Sequence, residues 1–442
     1  MRPVDRVVDL LDPTLNRFHN VDMDQARRRV LAGDAASVRA IDGSFALVTV
    51  DGITVRMARS LDRPMRYFLA KRHEGPALFV ADRIDTLKDA LEQSKLGDQF
   101  HPSYTRMVPA HHIVELALIG CPDPEPTYTR FFTPTRGSLP PDLDEIGRRY
   151  IGALADEVGK WLRRIDADSG PREPIGVSFS GGIDSTSVFL VTYWTMLRLG
   201  MSPARLKAFV LDLGNGPDAE QARSLLSAVG LSMFLEEISG HADDLDIEQT
   251  LHVLEDYKTL DVECAAMGLL LCRGIRERYP EWRHLADGDG GDENLKDYPI
   301  EENPELTIRS VLDNLMLYQE GWGVGRIKHS LTYSGGLSRS YVRTYAPAVK
   351  YGFAGFSPYT RPNVIEVAEA IPFAALTQYD VPSLYALKGE IVRRGVKAVT
   401  GIDMPVFPKR RFQHGAAAAD AMRQRLGLSE REYRRRFERL YA

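Results

Sequence analysis

The sequence predicts an α/β protein in two parts. Residues 1–135 read as a β-rich N-terminal domain. Residues 143–442 read as a larger domain, with a parallel sheet flanked by helices and a helical C-terminal part. Three observations predict this. A hairpin pattern and a further short apolar strand lie in the first part. A Pro- and Gly-dense stretch, 133–142, separates the two. From residue 175 onward apolar strands and helices alternate, as βαβ units do.

The elements follow in order. Runs 44–50 and 53–57, joined by Asp51-Gly52, form a hairpin with a type I′ turn signal. Residues 77–81 make another strand. A helix starts near Leu143 and runs to about Ile165. Residues 175–179 are a buried strand, and 186–200 a helix ending at Gly200. A second strand (206–211), a helix from Asp218 to Gly230 and a third strand starting at 231–235 come next. Helices near 247–257 and over 265–278 lead to a strand at 284–286. Beyond about 305 the chain reads as mostly helical. Its last helix, 428–441, carries an Arg434-Arg435-Arg436 run that reads as a solvated face. Such a sheet takes ligands at the carboxyl ends of its strands.

Composition narrows the function. A chain of 442 residues with net charge −5 has no nucleic-acid footprint. No window approaches a membrane span, and the first residues have no secretory apolar region. Cys121, Cys264 and Cys272 fit neither a zinc site nor a disulfide framework, so the expected compartment is reducing and cytoplasmic.

Chemistry concentrates in Ser180-Gly181-Gly182-Ile183-Asp184-Ser185, between a strand and a helix. Small residues let the backbone approach a ligand, and the helix N-terminus offers free N–H groups to an anion. The Ser180 and Ser185 hydroxyls can donate to phosphate oxygens, and Asp184 can hold the Mg²⁺ that travels with a nucleotide. Asp287-Gly288-Asp289-Gly290-Gly291-Asp292-Glu293 follows another strand, so it faces the first loop and can complete a metal site. The bland alternative is an Asx-rich surface turn. The third segment is 405–415, with Lys409 in a Lys-Arg-Arg run that alone would be a solvated face.

The first loop resembles the PP-loop of the ATP pyrophosphatases, S-G-G-x-D-S. The two loops together resemble the synthetase domain of asparagine synthetase and its β-lactam synthetase relatives, over about residues 145–425. The resemblance implies ATP and Mg²⁺ as cofactors, with Asp184 and Asp292 as metal ligands. It implies a nucleotide site at Ser180, Gly181, Gly182, Asp184, Ser185 and Gly288, with main-chain contacts to adenine near Leu211. It makes Lys409 the charge-stabilising lysine and Asp289 the base-like position, with Glu320, Glu255 or Tyr257 as helpers. Lys388, in a segment that also resembles a family helix, reads as structural. The pieces 42–48, 62–68 and 79–83 resemble a class II glutamine amidotransferase, an Ntn-like domain. That domain needs a cysteine after the initiator Met, and this chain has Arg2 there. The expectation is therefore a degenerate remnant.

The resemblance implies an AMP- and pyrophosphate-forming ligase that adenylates a small (amino)carboxylic acid and joins it to an amine. The amine lies on the substrate itself or on a second molecule, as in specialised metabolism. An ammonia-dependent amidating enzyme and a non-catalytic scaffold are the alternatives. A homodimer is expected because relatives are often dimers. Specificity is expected to reside around 301–351.

Overall fold

The computed structural model describes residues 6–119, 125–214, 216–298, 300–302, 307–314, 341–407 and 425–442. The chain opens with β1 (Val7–Leu10), β2 (Arg17–Phe18), α1 (Met23–Ala32), α2 (Ala35–Arg39) and β3 (Gly43–Ser44). It continues with β4 (Ala46–Asp51), β5 (Thr54–Arg59), β6 (Arg66–Ala70), β7 (Ala77–Ala81) and α3 (Ile84–Gln93). Then come β8 (Arg106–Met107), β9 (His112–Ala117) and β10 (Thr127–Arg130).

These strands form two four-stranded sheets, ordered β1-β7-β6-β8 and β10-β9-β5-β4. Their inner faces meet: Val48, Val55 and Met57 pack against Tyr67, Leu78 and Val80. On the outer faces Val30 and Val38 of α1 and α2 cover Leu47 and Ala58, and Leu87 and Leu91 of α3 cover Phe68 and Phe79. The layers therefore run helix, sheet, sheet, helix. The hairpin is β4–β5, and Gly52 at φ +59 supplies the left-handed position its turn demands.

The second part contains α4 (Leu143–Ser169), β11 (Ile175–Ser178), α5 (Ile183–Arg198), β12 (Leu206–Asp212), α6 (Asp218–Ala228) and β13 (Leu235–Ser239). Next are α7 (Ile247–Leu254), α8 (Thr259–Arg278), β14 (His284–Ala286), α9 (Gly291–Asn294) and α10 (Ile308–Asp313). After a π-helical turn (Tyr341–Tyr345) come α11 (Ala346–Lys350), β15 (Ala354–Phe356), α12 (Pro362–Glu369), α13 (Phe373–Thr377), α14 (Val381–Thr400) and α15 (Glu430–Leu440).

The sheet is the expected parallel one, ordered β13-β12-β11-β14-β15 with every neighbouring pair parallel. Helices cover both faces. Ala208 and Val210 of β12 join the core built with α4, α5 and α6, while Phe209 and Leu211 join the core built with α8. Helices α4 and α14 cross at paired glycines. A Cβ on Gly147 would sit 2.6 Å from the Ile391 carbonyl oxygen, so neither glycine can carry a side chain without moving backbone.

Several elements differ from the sequence reading; α8, for one, begins at Thr259 rather than 265, and α1 to α3 were not expected. Gly230 at φ +73 ends α6, and a 3-10 turn (Ser232–Phe234) delays the third strand to Leu235–Ser239. β15 was not expected. Its three residues centre on a glycine and carry no periodicity, and pairing with β14 is what makes them a strand.

The two parts share a buried interface. Arg66 pairs with Glu255 at 2.6 Å, and Arg361 with Asp62 at 3.0 Å. Ile365 of α12 inserts into the core under α1 and α2. Among the described residues, no helix is long and apolar enough to cross a membrane.

Candidate active site

The order of the parallel sheet reverses between β11 and β14, because β12 and β13 were added on one side and β15 on the other. A crevice opens at such a switch point, outside the carboxyl ends of the strands. Both loops singled out in the sequence leave these two strands. The loop after β11 runs through Ser180 to Gly182 into α5. The loop after β14 carries the acids and enters α9.

The first loop is held mainly by its own hydroxyls. Ser180 N donates to Ser185 Oγ at 3.2 Å, Gly182 N to Ser180 Oγ at 3.3 Å, and Ser185 Oγ to the Gly182 carbonyl at 3.3 Å. Gln221 of α6 pins the loop from outside by donating to the Gly181 carbonyl at 2.9 Å. Gly181 sits at φ +72, a conformation that favours glycine. No side chain caps α5 at Gly182. Its leading N–H groups thus remain for an anion.

The acid loop presses directly onto α5. A Cβ on Gly288 would lie 2.6 Å from Ser185 N, and one on Gly291 would collide with the Asp184 carboxylate. Both glycines are therefore needed for close approach. Asp287 is buried, and its carboxyl is pushed well above the usual range by burial and then by Asp289. Ser357 Oγ donates to Asp287 Oδ2 at 2.9 Å, and Asp289 N donates to Asp287 Oδ1 at 3.0 Å. Asp289 itself is pushed up to about 7. Burial is the largest cause, and Glu293 and Asp292 add to it against the opposing effects of Thr344 and Arg343.

One lysine organises the crevice. Lys388 of α14, 3 % exposed, donates to Asp184 Oδ2 at 2.6 Å and to Asp292 Oδ1, and approaches Asp297 Oδ2 at 3.5 Å. Burial pulls its ammonium towards neutrality, but the three carboxylates outweigh it and hold the proton well above the usual lysine range. Lys388, rated structural from the sequence, thus ties the two loops together. The signal was available: Leu384, Leu387, Ile391 and Val392 line the same buried stripe, and a lysine there demands buried partners.

The arrangement fits a magnesium ion by its donor set. Two carboxylate oxygens, from Asp184 and Asp292, converge on the Lys388 ammonium, and nucleotide-bound Mg²⁺ takes only one or two protein carboxylates. Among the described residues, no group of three or more His, Cys, Asp or Glu is arranged to hold a metal by itself.

Ser180, Gly181, Gly182, Asp184, Ser185, Gly288, Asp289 and Asp292 all lie in these two apposed loops or in the first turns of α5 and α9 that follow them. Leu211 lies at the carboxyl end of β12, its side chain buried beside Ile238. Lys409 and Glu320 lie outside the described residues, as do Asn215, Cys121 and most of 301–351. The other proposed helpers are committed elsewhere. Glu255 accepts the Ile84 N–H at 2.6 Å and pairs with Arg66 at the interface between the two parts. Tyr257 packs on Phe437 of α15, with ring centroids 5.6 Å apart. The sequence reading also missed Arg343, on the π-helical turn, which pairs with Asp261 at 3.3 Å.

No curated protein matches the chain. Residues 169–376, which carry both loops and the whole parallel sheet from β11 to β15, match the family model described as Asparagine synthase.

Proposed function

We propose that the protein is an AMP- and pyrophosphate-forming amide ligase. It would adenylate the carboxylate of a small (amino)carboxylic acid and pass the acyl group to an amine. The observation that carries this reading is the convergence of Asp184 and Asp292 on Lys388, beside an uncapped helix N-terminus at the switch point. The match to the asparagine synthase family over 169–376 supports it.

The α5 N-terminus and the Ser180 and Ser185 hydroxyls suit the phosphates of ATP. Bound Mg²⁺ would neutralise charge on the phosphoryl oxygens, held by Asp184 and Asp292. Lys388 brings a fixed positive charge to the same point. An attacking amine must lose its proton, and a carboxyl pushed up to about 7 makes Asp289 a suitable acceptor near neutrality. We assign Lys409 to the adenylated intermediate on its sequence context alone.

Residues 1–120 contain no cysteine, which supports an amine that does not come from a glutaminase within this domain. We therefore read residues 1–135 as a degenerate amidotransferase-like domain and 143–442 as the synthetase domain. Specialised metabolism, a cytoplasmic setting and a homodimer belong to the same proposal. Free ammonia as the amine is the second reading. The carboxylate at Asp289 favours it, since asparagine synthetases resemble this chain in having an acid there.

The test is mass spectrometry of the products from ATP, Mg²⁺ and a pool of amino-carboxylic acids, with and without ammonium. AMP and pyrophosphate lost in Asp184→Asn, with a product one water lighter than its precursor, are expected. AMP formed only with ammonium selects the second reading. A wild-type protein that binds no ATP in Mg²⁺ refutes both.

A further inference from the structure

The segment that closes the sheet, residues 356–361, holds the acid loop at several points. The Phe356 carbonyl accepts from Asp287 N at 3.0 Å, and Ser357 Oγ donates to Asp287 Oδ2 at 2.9 Å. The Tyr359 carbonyl accepts from Asn294 Nδ2 at 2.9 Å. Gly290, at φ +94, lies so near that a Cβ there would be 3.0 Å from Thr360 Cγ2. The Tyr359 hydroxyl meets Ser187 Oγ of α5 at 2.6 Å, and its ring stacks on Tyr150 of α4 with centroids 5.6 Å apart. The acid loop is thus clamped between α5 and this segment.

The far end of the clamp is Arg361, which belongs to the interface between the two parts. It is 7 % exposed, and its partner Asp62 is 4 % exposed. Asp62 also accepts from Ser44 Oγ and Ser60 Oγ, each at 2.7 Å, so its carboxylate is fixed by the N-terminal sheets. Burial would raise the Asp62 carboxyl, but Arg361 and the two hydroxyls prevail and hold it below the usual range. Arg361 also closes the 3-10 turn Pro358–Thr360 and sits at the start of α12, with its guanidinium 5.1 Å from the Phe356 ring centroid.

We propose that Arg361 is a positioning residue through which the N-terminal domain braces the acid loop. The domain then has a task without any glutaminase chemistry. Its buried Asp62 fixes Arg361, Arg361 fixes residues 356–360, and these keep residues 287–292 in register with the loop at Ser180–Ser185. The consequence for nucleotide binding rests on the proposed function; the brace itself does not.

The test is hydrogen exchange on the full chain, wild type against Arg361→Met and Arg361→Lys, with a parallel titration of ATP in Mg²⁺. In Arg361→Met the amides of 287–294 are expected to exchange about tenfold faster or more, with α4 and α14 unchanged. ATP affinity in Mg²⁺ falls about 10–100-fold, as when an outer-shell partner of a metal ligand is lost. Arg361→Lys restores most of both, because an ammonium can still pair with Asp62. Should Arg361→Met fail to fold, Asp62→Asn, whose amide can accept from one serine and donate to the other, is read in the same way. Acid-loop amides that exchange at the wild-type rate overturn the brace. So does uniform loosening of the whole chain, or a Lys variant no better than Met. If the wild type binds no ATP, the functional reading fails, while the exchange data still decide the brace.

Discussion

Replacing Lys388 with methionine tests the heart of the site. The substitution keeps the length of the side chain and removes the charge. Asp184, Asp292 and Asp297 then lose the buried cation they share. Removing one partner of a buried ion pair typically destabilises by about 3–5 kcal/mol, because the remaining charge is uncompensated. A domain of roughly 300 residues unfolds with an entropy of about 0.6 kcal/mol/K near its midpoint, so this corresponds to a fall of about 5–8 °C in Tm. Mg²⁺ supplies a replacement cation. At ten times its Kd it returns about 1.4 kcal/mol, or roughly 2 °C. Scanning calorimetry of Lys388→Met with and without MgCl₂, beside wild type, reads both quantities. A variant as stable as wild type would show that Lys388 is not a buried counter-ion. A Lys388→Met protein whose Tm does not rise with Mg²⁺ would refute the claim that the two aspartates converge on a cation site.

Three further outcomes are expected. Gly288→Ala forces a Cβ to within 2.6 Å of Ser185 N, so backbone must move; ATP affinity in Mg²⁺, read by titration, falls by about tenfold or more with little change in Tm. Asp289→Asn removes the raised carboxyl and lowers amide formation by about 10²–10⁴ in single-turnover assays, while pyrophosphate release persists; with Asp289 as base, the wild-type rate of amide formation rises with pH through about 7. His284 is lowered to about 4, mainly by burial and then by Arg17, Arg283 and Arg205, and Glu173 at 3.8 Å does not offset them. The unfolded chain therefore takes up the proton first, and stability falls as pH drops from 6.5 towards 4, by up to about 3 kcal/mol. Denaturant midpoints across that window should flatten in His284→Gln; an unchanged slope would sink the assignment.

What the sequence makes legible is what lies close together in it. The loop at 180–185 and the acid loop are each contiguous. Their chemistry follows from glycine, serine and aspartate next to a strand, and the parallel sheet follows from the alternation that surrounds them. Lys388 is the opposite case. It stands 204 residues from Asp184 and 96 from Asp292, and no local pattern joins them. Its position on the apolar stripe of α14 told that it was buried, but not with what. Glu255 failed for the same reason. It was a candidate helper on residue type, yet it ends α7 at φ +54 and faces Arg66 in the N-terminal part. β15 was invisible because pairing, not periodicity, defines it.

These misses share a location, and the location has a physical sense. Lys388, Arg361 and β15 all belong to the contacts that bring separate segments together around the two loops. A phosphate cradle can be written in six consecutive residues because backbone N–H groups do the binding. Holding two carboxylates at one point against their mutual repulsion cannot be written locally. It needs cations from distant elements, and a clamp whose own ends are anchored. That is why Asp62 matters. It lies in the N-terminal part, which carries none of the site residues, yet it is the last fixed point in the chain of contacts that ends at Asp287. If that anchor matters, substitutions at Asp62, Ser44 or Ser60 should register at the two loops before they register in the stability of the N-terminal sheets.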